Sequence, residues 1–275
     1  MVHQFITVNR AKIHYDAQGD GDAVVLIHSA LGHLEMWDPQ MAALAAHHHV
    51  MRYDVRGWGR SDGPLDDYAD YEDLAALLQA VGIQRTALVG SSSGGGIAID
   101  FALAFPQAVS ALVLVAPAVG GYELTPDPFM ANRRKASYDA YNQGDKPMAA
   151  EITAQVWVEG PGRKAADVDP LVRKKAVEMI RFTYELPDRE AHPQRLVPPA
   201  VERLASIDAP TLLIVGDQDV GPMLTTIDML DRKIRNARRA TIGGTAHLPN
   251  MEKPEEFNRL VLEFLGQSGA KAKRS

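Results

Sequence analysis

Short apolar runs rich in valine, isoleucine and leucine recur along the chain, and longer segments of mixed polarity separate many of them. Each run is too short for a typical helix and has the composition of a buried strand. The first two are predicted to be antiparallel strands that lead into a buried third strand. The predicted strands are QFITV, KIHYD, AVVLIH, HVMRYDV, TALVGS, ALVLVA, TLLIVG and RATIGG.

Helical patterns alternate with several of these strands. They are EMWDPQMAALAAH, YEDLAALLQAVG, GGIAIDFALAF and PEEFNRLVLEFL. A strand followed by a helix, repeated along the chain, produces right-handed crossovers between parallel strands. The sequence therefore predicts an α/β fold with a mostly parallel sheet covered by helices on both faces.

One long interval breaks this alternation. Between Ala116 and Thr211 lie more than ninety residues with helical patterns, proline and glycine punctuation, and no strand signal. An unstructured loop of that length is uncommon in a compact domain. We therefore expect a helical subdomain over residues 119–200, inserted into a core formed by residues 1–118 and 201–275.

Composition narrows the chemistry. Hydrophobic residues make up 46% of the 275 residues, which is ample for a buried core, and the chain has no cysteine. Disulfides, thiolate metal sites and a thiol nucleophile are therefore excluded. The HHH run at 47–49 is not interpreted as a metal site, because consecutive residues do not share one face of a helix or strand.

Charge and hydropathy argue against nucleic acid and membranes as partners. The formal net charge is −6, and the basic patches NRRK (132–135) and KAKRS (271–275) are interpreted as solvated surface. The N-terminus lacks a signal-peptide pattern, and no apolar run has the length of a membrane span. A soluble, cytoplasmic protein is expected.

Three consecutive serines lie between the strand TALVGS and the helix GGIAIDFALAF. A nucleophile on such a strand-to-helix turn needs small neighbours two residues away on each side. Ser92 has Gly90 and Gly94 at these positions, whereas Ser91 would have a valine before it. Ser92 is the preferred nucleophile, and Ser93, flanked by a serine and a glycine, is the alternative.

A serine nucleophile needs a histidine base and a carboxylate that orients the histidine. His247 follows the last predicted strand, and Asp217 and Asp219 follow the strand before it, so the chain order is serine, acid, histidine. Asp219 is preferred because it lies further out on its loop, whereas Asp217 is interpreted as a turn residue. Backbone amides of Ala30 and Ser93 are the expected donors to an oxyanion.

These motifs together resemble the α/β-hydrolase family nearly from end to end. The resemblance rests on VLIHSALG, YDVRGWGRSD, VGSSSGG, LLIVGDQD and GTAHLPNMEKPEEFNRLVLEFL. It implies an eight-stranded, mostly parallel sheet with a helical cap after the sixth strand. It also supports Asp219, since the acid of the family usually stands three residues after the glycine that is here Gly216.

The resemblance has two further consequences for individual residues. Ser29 stands where the HGxxG loop of the family usually has its first glycine. The loop therefore departs from the family pattern directly before Ala30, the expected oxyanion donor. Asp54, Arg56 and Gly57 belong to a family signature and are interpreted as structural residues of that turn.

The expected function is hydrolysis of small carboxylic esters or lactones, without a metal or organic cofactor. Perhydrolysis and carbon–carbon bond hydrolysis with the same triad are alternatives, although the extended glycine-rich loop of the carbon–carbon hydrolases is missing. A ligand-binding receptor on the same fold is the non-enzymatic alternative. Trp37, Trp157 and Met223 are candidate pocket residues because of their aromatic or thioether side chains.

Overall fold

In the computed structural model, which describes residues 4–63, 67–187 and 193–272, eight strands form one sheet. The strand order is β1-β2-β4-β3-β5-β6-β7-β8, and β2 is the strand antiparallel to its neighbours. This arrangement confirms the predicted fold class. The strands are Gln4–Val8 (β1), Ala11–Gln18 (β2), Ala23–Ile27 (β3), His49–Tyr53 (β4), Thr86–Ser91 (β5), Val109–Val115 (β6), Thr211–Gly216 (β7) and Ala237–Ile242 (β8).

Helices cover both faces of the sheet. One buried cluster joins α2, α3 and α8 to the sheet, and a second joins α1 and α10 to the opposite face. No helix within the described ranges combines the length and apolarity needed to cross a membrane. The helices are Asp38–Ala45 (α1), Asp70–Ala80 (α2), Ser93–Ala104 (α3), Pro128–Asn142 (α4), Lys146–Ala154 (α5), Pro170–Glu185 (α6), Ala200–Arg203 (α7), Gly221–Lys233 (α8), Pro249–Glu252 (α9) and Pro254–Ala272 (α10).

Helices α4, α5 and α6 lie between β6 and β7 and pack against one another. Each starts after an aspartate whose carboxylate accepts a backbone N–H of the first turn, which satisfies donors that a helix start leaves unpaired. These aspartates are Asp127, Asp145 and Asp169. Each helix also has a proline in its first turn, where the fixed φ angle of proline favours the helical conformation. We call α4, α5 and α6 the cap.

The cap helix α6 lies on the loop that follows β3. A Cβ added at Gly32 would lie 3.0 Å from the Met179 sulfur, and the His33 ring packs edge-on against Phe182 with centroids 5.3 Å apart. Burial lowers the pKa of His33, which favours the neutral ring in this contact. The cap therefore contacts a loop at the carboxyl edge of the sheet.

Asp100 is a buried carboxylate on α3. Its side chain is 3% exposed, and among the described residues its Oδ1 has no hydrogen-bond partner. Burial raises the pKa of Asp100 to about 6, although the positive charges of Arg195 and Arg203 lower it in part. The folded protein therefore binds a proton at Asp100 more tightly than the unfolded chain does.

This pKa makes stability depend on pH in a defined direction. Since the folded pKa is about 6 and the ordinary value is 3.8, the folded state loses stability as the pH rises from about 4 to about 6 and then levels off. Asp100→Asn removes that dependence and should stabilise the protein by about 2–3 kcal/mol at pH 7.5. Urea unfolding at pH 4.5 and pH 7.5 measures the difference.

Asp231 is an exposed residue of α8, and Asp231→Asn is the matched control. The free energy of unfolding of this variant should equal that of the parent protein at both pH values. Equal stability differences between Asp100→Asn and the parent at the two pH values would contradict the proposed titration.

Candidate active site

Ser92 occupies the turn between β5 and α3. Its φ is +51°, a left-handed value that costs a non-glycine residue on the order of 1–3 kcal/mol. The Ser92 N–H donates to the Val115 carbonyl at 2.9 Å, and the Ser92 carbonyl accepts from the Ala118 N–H at 2.8 Å. These bonds hold the strained turn to the end of the neighbouring strand β6.

The glycines on each side of Ser92 are required by close backbone contacts. A Cβ at Gly90 would lie 2.4 Å from the Gly94 carbonyl oxygen, and a Cβ at Gly94 would lie 2.3 Å from the Ile27 carbonyl oxygen. Both distances are far below van der Waals contact. The glycine spacing used to select Ser92 thus has a direct steric cause, and it brings the start of α3 against the end of β3.

Asp219 and His247 form a buried pair. His247 Nδ1 lies 2.8 Å from Asp219 Oδ2, and the two residues are 1% and 2% exposed. The other Asp219 oxygen accepts the N–H of Val220 at 2.8 Å. Asp217 instead accepts the Gly244 N–H at 2.6 Å and is a turn residue. Of the two candidate acids, the structure places Asp219 beside the histidine.

The three residues share the carboxyl edge of the sheet. Ser92 follows β5, Asp219 follows β7 and His247 follows β8, and these strands are parallel. Within the described part of the chain the Ser92 hydroxyl forms no hydrogen bond. In an unliganded site the nucleophile and base are often further apart than in the reacting complex.

The loop after β3 contains the expected oxyanion donor. The Ser29 hydroxyl accepts the N–H of Leu31 at 3.2 Å, and the Ser29 N–H points at the Met36 sulfur at 3.2 Å. The serine that replaces the usual glycine therefore orders this loop. Among the described residues, the N–H groups of Ala30 and Ser93 have no acceptor.

Trp157 connects the cap segment to the histidine. It lies in a π-helical turn, Gln155–Glu159, which follows α5. Its carbonyl accepts the His247 N–H at 3.2 Å, and its ring centroid lies 4.5 Å from that of the imidazole. The predicted pocket residue Trp157 thus contacts His247 directly.

The other two predicted pocket residues lie in the core. Trp37 is fully buried against Phe257, with ring centroids 6.1 Å apart, on the face of the sheet covered by α1 and α10. Met223 is buried in the first turn of α8 and packs within the opposite cluster. Neither Trp37 nor Met223 lines the cap cavity described below, and their role as pocket residues stays a prediction.

Sequence reasoning missed an ion pair beside His247. Arg163 Nη1 and Nη2 donate to Glu252 at 2.6 and 3.2 Å, and both side chains are less than a tenth exposed. Glu252 also accepts the N–H of Ala246, the residue before His247, at 2.8 Å. Arg163 further donates to the backbone carbonyls of Val158, Glu159 and Gly244. The pair fastens the Trp157 turn to the histidine loop.

A cavity of about 750 Å³ lies mainly among the cap helices. Its wall includes Leu31 of the loop after β3 and Trp157, so it adjoins the site, whereas Ser92 and His247 are not among its lining residues. Besides Leu31 and Trp157, the cavity is lined by Arg133, Arg134, Lys135, Ser137, Tyr138, Tyr141, Asn142, Thr153, Val156, Thr183, Tyr184, Leu186 and Pro187.

Within the described ranges, no group of three histidine, cysteine or acidic side chains is arranged to hold a metal ion. In the HHH run, His49 Nδ1 instead pairs with the Gly19 carbonyl at 2.9 Å, and the His47 N–H donates to the carbonyl of Leu44.

A strained serine turn and a buried histidine–aspartate pair at the carboxyl edge of a mostly parallel sheet define the class of α/β hydrolases. The sequence model of the alpha/beta hydrolase fold matches residues 22–254. The chain therefore belongs to this family, as its motifs predicted.

Individual relatives are named for different substrates. The chain is 30% identical to RutD of Azorhizobium caulinodans, whose proposed activity is carbamate hydrolysis, over 94% of this chain and 96% of the relative. It is 30% identical to a 2-hydroxy-6-oxononadienedioate/2-hydroxy-6-oxononatrienedioate hydrolase of Burkholderia vietnamiensis, over 92% and 91%. The enol-lactonase of Burkholderia xenovorans has the same fold, with a TM-score of 0.77, 22% identity, and 96% and 100% coverage.

The choice of acid can be tested by two matched substitutions. Asp219→Asn removes the carboxylate that orients His247 and should lower kcat for 4-nitrophenyl acetate by about 10³–10⁴-fold. Asp217→Asn changes the same charge two residues away and should change kcat less than threefold. Steady-state kinetics at pH 7.5 measures both, and a larger loss for Asp217→Asn would reverse the assignment.

The Arg163–Glu252 pair predicts a kinetic effect from a residue outside the candidate triad of Ser92, Asp219 and His247. Arg163→Gln leaves Glu252 buried without its cation and loosens the turn that carries Trp157. Since small displacements of a base are costly, kcat for 4-nitrophenyl acetate should fall about 10- to 100-fold with KM little changed. Arg259→Gln, which removes an exposed cation of α10, is the control. An unchanged kcat in a folded Arg163→Gln protein, as judged by circular dichroism, would contradict this role.

Proposed function

We propose that the protein is a serine hydrolase that cleaves small carboxylic esters or lactones. The observation that carries the proposal is the buried Asp219–His247 pair, 2.8 Å apart, at the same sheet edge as a serine held at φ +51°. A carboxylate that binds Nδ1–H leaves Nε2 of the imidazole free to accept a proton. Strain at the serine presents its hydroxyl above the sheet.

In the acylation step, Ser92 Oγ attacks the carbonyl carbon and His247 Nε2 takes its proton. The imidazolium then gives that proton to the leaving alcohol oxygen as the carbon–oxygen bond breaks. In a lactone the alcohol stays tethered to the acyl group. Asp219 stabilises the transient positive charge without accepting the proton itself.

The developing oxyanion would be held by the N–H groups of Ala30 and Ser93. Their lack of acceptors among the described residues supports this role, since an oxyanion hole works by having donors in place before charge develops. The Ser93 N–H also opens α3, where the helix dipole favours negative charge.

Deacylation reverses these roles. His247 takes a proton from water, the resulting hydroxide attacks the acyl carbon, and the proton returns to Ser92 Oγ as the carboxylic acid leaves. Every proton transfer therefore runs through one imidazole, which requires no metal or organic cofactor.

Carbon–carbon bond hydrolysis is the second candidate. It is favoured by the 30% identity to the 2-hydroxy-6-oxononadienedioate/2-hydroxy-6-oxononatrienedioate hydrolase across most of both chains. Comparison of kcat/KM for short 4-nitrophenyl esters, small lactones and a vinylogous 1,5-diketone discriminates the two. Preferred turnover of the diketone would replace ester hydrolysis as the proposed reaction.

Ser92 and Ser93 provide the direct test of the nucleophile. Ser92→Ala should abolish both labelling by a fluorophosphonate and hydrolysis of 4-nitrophenyl butyrate, because the attacking oxygen is gone. Ser93→Ala keeps the backbone N–H and should retain labelling, with kcat lowered less than about tenfold.

Gel fluorescence and initial-rate assays give the two readouts. Full labelling of Ser92→Ala would exclude Ser92 as the nucleophile, and loss of labelling in a folded Ser93→Ala protein would transfer the role to Ser93.

A further inference from the structure

The basic patch NRRK (132–135), interpreted from sequence as solvated surface, lies on α4 at the wall of the cap cavity. Arg133, Arg134 and Lys135 are all lining residues, and among the described residues, which leave out 188–192, no aspartate or glutamate lines the cavity. This contrasts with the formal net charge of −6 for the whole chain. A cavity lined by one sign of charge attracts ligands of the opposite sign.

The three cations differ in how their charge is used. The Arg133 guanidinium lies over the Phe129 ring, 5.5 Å from its centroid, and Lys135 pairs with Asp139 at 2.6 Å. Arg134 has no ion pair or hydrogen bond with the rest of the described chain. Arg134 is therefore the cation whose fork of N–H donors remains available to a ligand.

Arg134 also shares a helix face with the aromatic wall of the cavity. Tyr138 and Tyr141 follow it at four and seven residues, a spacing that places side chains on one face of a helix. The Tyr141 ring packs edge-on against Tyr184 from α6, with centroids 5.3 Å apart. This face offers a flat apolar surface next to a cation.

Three hydroxyl groups in the cavity wall are already hydrogen-bonded to one another. Ser137 Oγ lies 2.8 Å from Thr153 Oγ1, which lies 2.7 Å from Tyr184 Oη. These groups stabilise the packing of α4, α5 and α6 and have less capacity left for a ligand. Arg134 is therefore the stronger candidate for polar recognition at this wall.

We propose that the preferred substrate is an ester or lactone whose acyl part carries an anionic group, such as a carboxylate, at the end remote from the scissile bond. This inference rests on the proposed function. The reacting carbonyl would lie by Leu31 and Trp157, where the cavity adjoins the site, and the acyl chain would extend into the cap cavity. The anionic end would bind Arg134, and the chain would pack on Tyr138 and Tyr141.

Two esters of equal acyl length test this assignment. Mono-4-nitrophenyl adipate ends in a carboxylate, and 4-nitrophenyl hexanoate ends in a methyl group, so the leaving group and chain length are the same. The parent protein should have the higher kcat/KM for the adipate ester. Arg134→Gln should lower kcat/KM for the adipate ester about 5- to 20-fold, mainly by raising KM, because a charge-assisted hydrogen bond is lost.

Hydrolysis of the hexanoate ester by Arg134→Gln should stay within twofold of the parent protein. Lys174→Gln is the matched control, because it removes an equal charge from an exposed position of the cap helix α6 that does not line the cavity. Both esters should be hydrolysed by Lys174→Gln as by the parent. Raising NaCl from about 0.05 to 0.5 M should reduce the adipate preference, since salt screens exposed charges.

Equilibrium binding separates failure of this inference from failure of the proposed function. In the Ser92→Ala background, calorimetry compares monomethyl adipate with methyl hexanoate, with and without Arg134→Gln. If neither 4-nitrophenyl ester is hydrolysed, the proposed function fails. Binding of monomethyl adipate that depends on Arg134 would still support an anion site in that case. The inference would be overturned if the two methyl esters bound equally and the two 4-nitrophenyl esters had equal kcat/KM. It would also be overturned if Arg134→Gln changed neither the binding of monomethyl adipate nor kcat/KM for mono-4-nitrophenyl adipate.

Discussion

The backbone of Ser92, held at φ +51° between β5 and α3, is the constraint on which the site depends. A strained residue persists only where its surroundings offset the cost. Here the hydrogen bonds to Val115 and Ala118 fix the turn, and the absence of side chains at Gly90 and Gly94 lets α3 begin against the end of β3. The same contact brings the loop containing Ala30 next to the start of α3. The position of the serine and the position of the loop after β3 therefore follow from one packing requirement.

A second set of contacts links the cap to this edge of the sheet. Helix α6 packs on the loop after β3 through Met179 and Phe182, and Arg163 joins the Trp157 turn to the histidine loop through Glu252. The buried pair must stay intact, since one charge left alone in a buried position is costly. Movements of the cap are thus coupled to the two loops that carry the proposed donor and base.

Local patterns in the sequence were enough to predict the sheet and the serine turn. All eight predicted strands are present in the sheet. The six central ones are mostly buried, and a buried strand needs only a short run of apolar residues, whereas the edge strands β1 and β8 are largely exposed. Ser92 was recognisable because the steric requirement acts two residues away on each side. Helix α8 was missed, although buried Met223, Ile227 and Leu230 in it follow a helical spacing.

Contacts between distant segments could not be predicted. Arg163 and Glu252 are separated by 89 residues, and neither has a local pattern that indicates a partner. The preference for Asp219 over Asp217 came from its position on the loop and from the family resemblance, but the contacts of the two carboxylates with His247 and Gly244 are set by loop conformation. Trp37 shows that residue type alone does not distinguish a pocket wall from a packed core, since large aromatic side chains serve both.

In the proposed mechanism, bond cleavage takes place at the sheet edge, whereas substrate choice depends on the cap. Ser92, Asp219 and His247 follow strands of the sheet, and such a constellation can act on esters, lactones or activated carbon–carbon bonds with little change. Among the described residues, the cavity wall comes almost wholly from the cap helices and the turns beside them, with Leu31 as the contribution from the core. Trp157 belongs to both parts, because it lines the cavity and packs against the imidazole. A ligand that displaced Trp157 would also disturb His247, the proposed base. In the proposed mechanism, the fit of a substrate in the cap therefore influences that base directly, and selectivity among substrates can appear in kcat as well as in KM.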